Sequence, residues 1–209
     1  MIHTRFDAEN GRFIETYDDV FAAKEIIKFN IYAEQANYKI CRTSTGLIAE
    51  KSLATLKCDL SFQEALQFGV ISSPNFKTFY KILKEKNVRL DRSYINLCTS
   101  DDLFPYHTDS CDEDGLTMLY YINAVWEPMW EGETHFTNEN MRSIILSSSF
   151  IPGRMAVFTP TIPHKSSQPS RAATSFRYTY AMKFVSKNNK SSWDKAIDLT
   201  EHVHPSCLM

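Results

Sequence analysis

From Leu90 to Val185 the chain is a succession of short segments rich in β-branched and aromatic residues. These are "RSYINLC", "LTMLYYIN", "THF", "SIILSS", "RMAVFTP" and "SFRYTYAMKFV", separated by clusters of Gly, Pro, Asn and Asp. Strand-length runs at this spacing, with few helical patterns between them, predict an antiparallel sandwich or jelly roll rather than a parallel α/β sheet. The first ninety residues read differently. Asp19 to Glu34 carries an apolar stripe at Val20, Ala23, Ile27 and Ile31, and Asn75 to Lys86 repeats the pattern at Phe76, Phe79, Tyr80 and Leu83, just after Pro74. Between them, "SFQEALQFG" predicts a short helix capped by Ser61, with Glu64 completing a capping box.

The resulting expectation is an α+β protein with a double-stranded β-helix (jelly-roll or cupin-like) core and N-terminal supporting helices. One domain spans 1–209: mainly helical support over 1–89, the catalytic core over 90–185, and a tail with a short helix over 186–209. A chain of 209 residues, 43% hydrophobic, has enough apolar content for one such core.

A net charge of -2 without a basic run leaves out the electrostatic footprint of a nucleic-acid binder. The five Cys, at 41, 58, 98, 111 and 207, are odd in number and widely spaced, with no CxxC pair. A disulfide framework is not expected, and a reducing cytoplasm fits better. No signal-peptide h-region and no membrane-length apolar run are present. In "SCLM", Cys207 stands one position away from a prenylation signal. The expected partner is a small-molecule or peptide substrate, not nucleic acid or membrane; the oligomeric state is left open.

Three groups in the β half carry chemistry. His107 and Asp109 stand two apart, so in extended chain they point to one side. His164 follows the strand "RMAVFTP" and supplies a third donor. Two His and one carboxylate form the facial triad of non-haem iron(II) oxygenases, which leaves coordination positions open. On the last strand Arg177 and Thr179 share one face, while Tyr178, Tyr180, Met182 and Phe184 take the other. A guanidinium deep in a β core needs an anionic partner, and its planar fork matches a carboxylate.

The ordered motifs HTD (107–109), "LYYIN" (119–123), "WEGETHF" (130–136), "PGRMAVFTPTIPHKSSQPS" (152–170) and "FRYTYAMKF" (176–184) resemble the 2-oxoglutarate and iron(II)-dependent dioxygenases, most closely the prolyl 4-hydroxylase-like branch. The likeness covers about residues 90 to 185 and leaves the N-terminal helices unplaced. It implies Fe(II) held by His107, Asp109 and His164, with 2-oxoglutarate as cosubstrate and O2 as oxidant. By the same resemblance Arg177, Thr179 and Tyr120 contact the distal carboxylate of 2-oxoglutarate, and Asn96 faces cosubstrate or substrate. The implied reaction hydroxylates an unactivated C–H bond of an amino acid, peptidyl proline or other small substrate, releasing succinate and CO2. Retention of Asp109 favours hydroxylation over halogenation.

Two departures stand out. Twelve residues separate His164 from Arg177, longer than the family's usual spacing, and Arg171 lies nearer. Arg177 is preferred because it sits on a strand with Thr179 two residues on. The usual Gly-Gly pair before the Glu is Glu131-Gly132 here. His135 is expected beside the site, Asp112, Glu113 and Asp114 in a solvated loop near its mouth, and Trp126 and Trp130 in core or rim. The competing readings are a cupin-like metalloprotein acting as hydrolase or isomerase, which has no use for an Arg–Thr anion clamp, and a non-catalytic jelly-roll binding domain.

Overall fold

A computed structural model describes residues 1–43, 53–188 and 196–202. Cys207 and most of the polar stretch after Val185 lie outside them. The strands are β1 (Ile2–Asp7), β2 (Phe13–Asp18), β3 (Lys39–Thr43), β4 (Leu53–Leu60), β5 (Val88–Cys98), β6 (Leu116–Tyr121), β7 (Thr134–Thr137), β8 (Ile144–Ser148), β9 (Met155–Phe158), β10 (His164–Ser166) and β11 (Arg177–Ser186). The helices are α1 (Ala23–Gln35), α2 (Phe62–Phe68), α3 (Lys77–Lys86) and α4 (Leu199–His202). Among the described residues no helix is long and apolar enough to cross a membrane.

An eight-stranded antiparallel sheet in the order β1-β2-β9-β6-β11-β5-β4-β3 stacks against a three-stranded sheet, β10-β7-β8. This is the jelly roll that the spacing of β-rich segments predicts. β11 lies at the centre, paired with β5 and β6, so its faces meet opposite layers. Tyr178, Tyr180, Met182 and Phe184 join Phe29, Phe68, Phe79 and Leu83 from the helices in one core cluster. Ala181 belongs to a second cluster between the sheets, with Leu119, Tyr121, Phe136 and Phe158. The two-residue period of the strand thus sends one set of side chains to the helices and the other to the inter-sheet space.

The N-terminal region departs from expectation. Over 1–89 the chain is not mainly helical: it contributes β1 and β2 to one edge of the large sheet and β3 and β4 to the other. β1 and β3 are the edge strands, each paired on one side, and every residue of β1 but Phe6 is exposed. Without a buried face an edge strand carries little hydrophobic alternation, which is the signal periodicity depends on.

The helices are only partly as the pattern suggests. In α1 the buried residues are Phe29 and Ala33, with Ile26 and Tyr32 packed beside them. Ile27 and Ile31, expected on the core stripe, are exposed. α3 buries Phe79, Tyr80 and Leu83 as its stripe predicts. α2 carries the expected cap: Ser61 Oγ accepts from Glu64 N at 3.3 Å while Glu64 accepts from Ser61 N at 2.7 Å. Gly69 then ends α2 in the left-handed conformation, φ 98°, that glycine adopts without steric cost.

Candidate metal centre

His107 and His164 are brought together by backbone pairing. His107 N donates to His164 O at 3.0 Å and His164 N to His107 O at 2.9 Å, an isolated bridge that continues the small sheet beyond β10. Their imidazole centroids lie 4.6 Å apart. Asp109 N donates to Pro160 O at 2.9 Å, tying the second donor to the chain that follows β9. The carboxylate then lies between the rings: His107 Nε2 is 3.6 Å from Oδ1, and His164 Nε2 is 3.5 Å from Oδ2. One ligand atom from each of the three lies within 4.8 Å of the others.

Both rings have the same polarity. His107 Nδ1 lies 3.1 Å from Pro105 O and His164 Nδ1 lies 2.9 Å from Ile162 O. A carbonyl accepts only, so Nδ1 carries a proton in each ring and Nε2 is the nitrogen turned toward the cluster. Burial pushes the pKa of His164 down to about 4, keeping it a neutral donor near pH 7. Burial also works to raise the Asp109 pKa, yet Lys183, His164 and His107 outweigh it and hold the carboxyl well below its ordinary range. The Asp109 side chain is 4% exposed.

The cluster opens into a cavity of about 390 Å³ between the sheets, lined also by Arg177, Asn96, Tyr94, Leu119, Phe158 and Ala181. Arg177 is 1% exposed. Its Nε donates to Gly132 O at 2.7 Å and its Nη2 to Thr134 Oγ1 at 3.3 Å, with the guanidinium 5.0 Å from the Phe150 centroid and 5.8 Å from that of Tyr121. Among the described residues it makes no ion pair. Burial lowers its pKa, while Glu133 acts on it through space. Thr179 lies between Arg177 and Ala181 on the same face, its Oγ1 buried and without a hydrogen-bond partner among the described residues.

Other candidates are placed elsewhere. Tyr120 does not approach Arg177: it pairs across β6 and β11 with Tyr180 and packs among Phe21 and Phe29 in the helix-side cluster. Its neighbour Tyr121 takes the inter-sheet face, its hydroxyl hydrogen-bonded with those of Thr134 at 2.9 Å and Ser148 at 3.2 Å beside the guanidinium. The Arg171 side chain is 90% exposed, near Asp101, and is no rival to Arg177. His135 stays outside the cluster. Asp112 accepts from Ser186 N at 3.0 Å and Asp114 N at 3.2 Å, so it pins the end of β11. Trp126 supports the site indirectly, donating to Glu131 O at 2.8 Å beneath the Gly132 turn.

Lys183 escaped the sequence reading. It lies on the Arg177 face of β11 and donates to Asp109 Oδ2, an oxygen that also accepts from Thr117 Oγ1 at 2.8 Å. The period that pairs Arg177 with Thr179 reaches Lys183 in two further steps, and a lysine on the buried face of a central strand was the available signal.

No protein-family model matches the chain, and no curated protein matches its sequence. Solved structures match its fold. The epimerase SnoN from nogalamycin biosynthesis, in complex with Fe3+, alpha ketoglutarate and nogalamycin RO, is 12% identical with TM-score 0.62, over 83% of this chain and 78% of that one. HygX from Streptomyces hygroscopicus, with nickel and 2-oxoglutarate bound, is 10% identical with TM-score 0.55, over 91% and 94%. A 2OG-Fe(II) oxygenase family oxidoreductase from Burkholderia pseudomallei is 11% identical with TM-score 0.59, over 82% and 84%. The chain therefore has the jelly-roll fold seen in 2-oxoglutarate and iron(II) oxygenases, with a His-x-Asp…His cluster inside it.

Proposed function

We propose that this protein is an Fe(II)- and 2-oxoglutarate-dependent oxygenase, prolyl 4-hydroxylase-like in its motifs, that hydroxylates an unactivated C–H bond of a small substrate with release of succinate and CO2. The observation that carries the reading is Arg177: a guanidinium 1% exposed, without an ion pair among the described residues, in the same cavity as the His107, Asp109 and His164 cluster. An uncompensated buried cation is costly, and a keto-diacid that meets a metal at one end and Arg177 at the other removes that cost.

The donors fit the metal. Two imidazoles with Nε2 turned toward the cluster, and one carboxylate, are the ligand set of a non-haem iron(II) site with open positions. The unpartnered Thr179 hydroxyl, two residues beyond Arg177, suits a further hydrogen bond to the distal carboxylate. Iron with 2-oxoglutarate would activate O2, the oxidant, coupling oxidative decarboxylation of the keto acid to oxidation of a C–H bond.

The chain supplies position and environment. His107, Asp109 and His164 would hold the metal, and Arg177 with Thr179 would orient the cosubstrate. Leu119, Phe158 and Ala181 give the cavity an apolar wall that limits water. Tyr94 and Asn96 on β5 face the remaining space, where a substrate would lie. Lys57 and Arg92 also line it, whereas Asp109 is the one acid among the described lining residues. Asp59 and Asp91 partly neutralise these two cations from outside the cavity, at 2.7 and 2.8 Å. The balance favours a substrate bearing a carboxylate, as an amino acid does, over a cationic one. The described cysteines are all free, which supports a reducing, cytoplasmic setting.

The test is succinate release from 2-oxoglutarate under Fe(II) and air, across free amino acids, N-acyl amino acids and proline-containing peptides. Substrate-stimulated succinate that disappears in His107→Ala is expected. Failure of 2-oxoglutarate to bind the Mn(II)-loaded protein would sink the assignment.

A further inference from the structure

Asp109 already has a cation. Lys183 reaches it from β11, six positions beyond Arg177, and donates to Oδ2, while Thr117 Oγ1 donates to the same oxygen at 2.8 Å. The side chains of Lys183 and Asp109 are 9% and 4% exposed, so the pair lies largely out of water. Backbone pairing holds the lysine from both sides, opposite Arg92 on β5 and opposite Thr117 on β6. The acceptor sites of Oδ2 are therefore largely used. Oδ1, 3.6 Å from His107 Nε2, is the oxygen left for a metal.

We propose that Lys183 is a resident counter-cation for the metal centre. It holds the Asp109 carboxylate in place when no metal is bound, and an incoming dication must share that carboxylate with the ammonium. Lys183 is thus a positioning residue, acting on the metal through Asp109. The inference rests on reading the three-donor cluster as a metal site.

Two consequences have the same sign. In the metal-free protein, loss of the ammonium leaves a buried carboxylate without its principal partner, so the metal-free state is destabilised. In the metal-bound protein, the same loss removes repulsion between a cation and a dication that meet on one carboxylate. Both changes tighten metal binding. A purely structural lysine would instead weaken metal-free and metal-bound protein alike and leave affinity unchanged.

The experiment measures Mn(II) affinity from the EPR signal of the free ion, and thermal unfolding with and without Mn(II). It compares wild type, Lys183→Met, Lys183→Arg and Thr117→Val. Lys183→Met should unfold at lower temperature without metal, bind Mn(II) about tenfold more tightly, equal in size and opposite in sign to the smallest losses that outer-sphere substitutions usually cause, and gain more from added Mn(II) than wild type does. Lys183→Arg, which keeps the charge, should return both readouts toward wild type. Thr117→Val, which removes a neutral donor from Oδ2, should leave affinity within about threefold of wild type, short of that range. If Lys183→Met yields no folded protein, Lys183→Gln carries the same comparison. Unchanged or weaker Mn(II) binding in the uncharged variant overturns the proposal while the metal centre stands. No Mn(II) binding by wild type overturns both.

Discussion

Arg177 is braced by Gly132. The guanidinium Nε donates to the glycine carbonyl at 2.7 Å, and a Cβ at Gly132 would stand 3.1 Å from Arg177 Cδ and 3.3 Å from the Trp126 ring. Gly132 also has φ +85°, a conformation that costs an L-residue about 1–2 kcal/mol. Gly132→Ala should therefore displace the guanidinium. We expect 2-oxoglutarate binding to the Mn(II)-loaded protein to weaken about tenfold, near 1.4 kcal/mol, with Mn(II) affinity unchanged. Calorimetric titration of both ligands separates the two effects. Equal losses for metal and cosubstrate would contradict the role given to this turn.

Substitution of Arg177 itself should separate binding from stability. The side chain is buried with hydrogen bonds to Gly132 and Thr134 but without an ion pair among the described residues. Replacing a buried charge by an apolar chain of similar volume is often neutral or stabilising. Arg177→Met is expected to unfold at the wild-type temperature or above in the absence of 2-oxoglutarate. Its affinity for the cosubstrate should fall about a hundredfold, within the range for truncating one member of a buried charge pair. A variant that unfolds much earlier yet still binds 2-oxoglutarate would mark Arg177 as a structural cation.

The adjacent tyrosines of β6 should respond oppositely. Tyr120 OH is buried with no hydrogen-bond partner among the described residues, whereas Tyr121 OH bonds Thr134 and Ser148 beside Arg177. Tyr120→Phe removes an unsatisfied group and should be neutral or stabilising by up to about 1 kcal/mol, with 2-oxoglutarate affinity unchanged. Tyr121→Phe leaves two buried hydroxyls short of a partner and should cost about 1–2 kcal/mol. It should also weaken 2-oxoglutarate binding through Thr134, which Arg177 Nη2 touches. Parallel melts and titrations of the two variants decide it.

These tyrosines also mark how far the sequence alone could be read. Strand parity on β11 placed Arg177 and Thr179 on one face and four apolar side chains on the other, because both faces of that strand are buried and neighbours there differ in chemistry. In "LYYIN" two identical residues adjoin, and a choice one residue out flips the side chain to the opposite layer. Tyr120 was misplaced for that reason. β1 and β3 went unread because they are sheet edges. The two-residue period that found Thr179 would also have found Lys183, but its partner Asp109 lies 74 positions away and only the fold brings them together. The face of α1 was misread because Ile27 and Ile31 remain exposed while Phe29 and Ala33 turn inward.

Acid stability should depend on Glu25, which joins the start of α1 to the turn before α3. Its Oε1 accepts from Ser73 Oγ at 2.6 Å, and its Oε2 accepts from Asn75 Nδ2 at 2.7 Å and Ala22 N at 2.9 Å. Partial burial acts to raise its pKa, but the bonds from Ser73, Ala22 and Asn75 outweigh it and hold the value below the ordinary one. A carboxyl depressed by folding binds fewer protons in the native than in the unfolded state. Its contribution is complete above the unfolded value, about 4.3, and is lost as pH falls through the lower folded value. Glu25→Gln should therefore lower the unfolding temperature at pH 7 by more than at pH 3, so that the two proteins converge in acid. Melting curves at intervals between these pH values test it. A difference that stayed constant across the range would show that the charge of Glu25 contributes nothing and that its hydrogen bonds act as those of a neutral amide would.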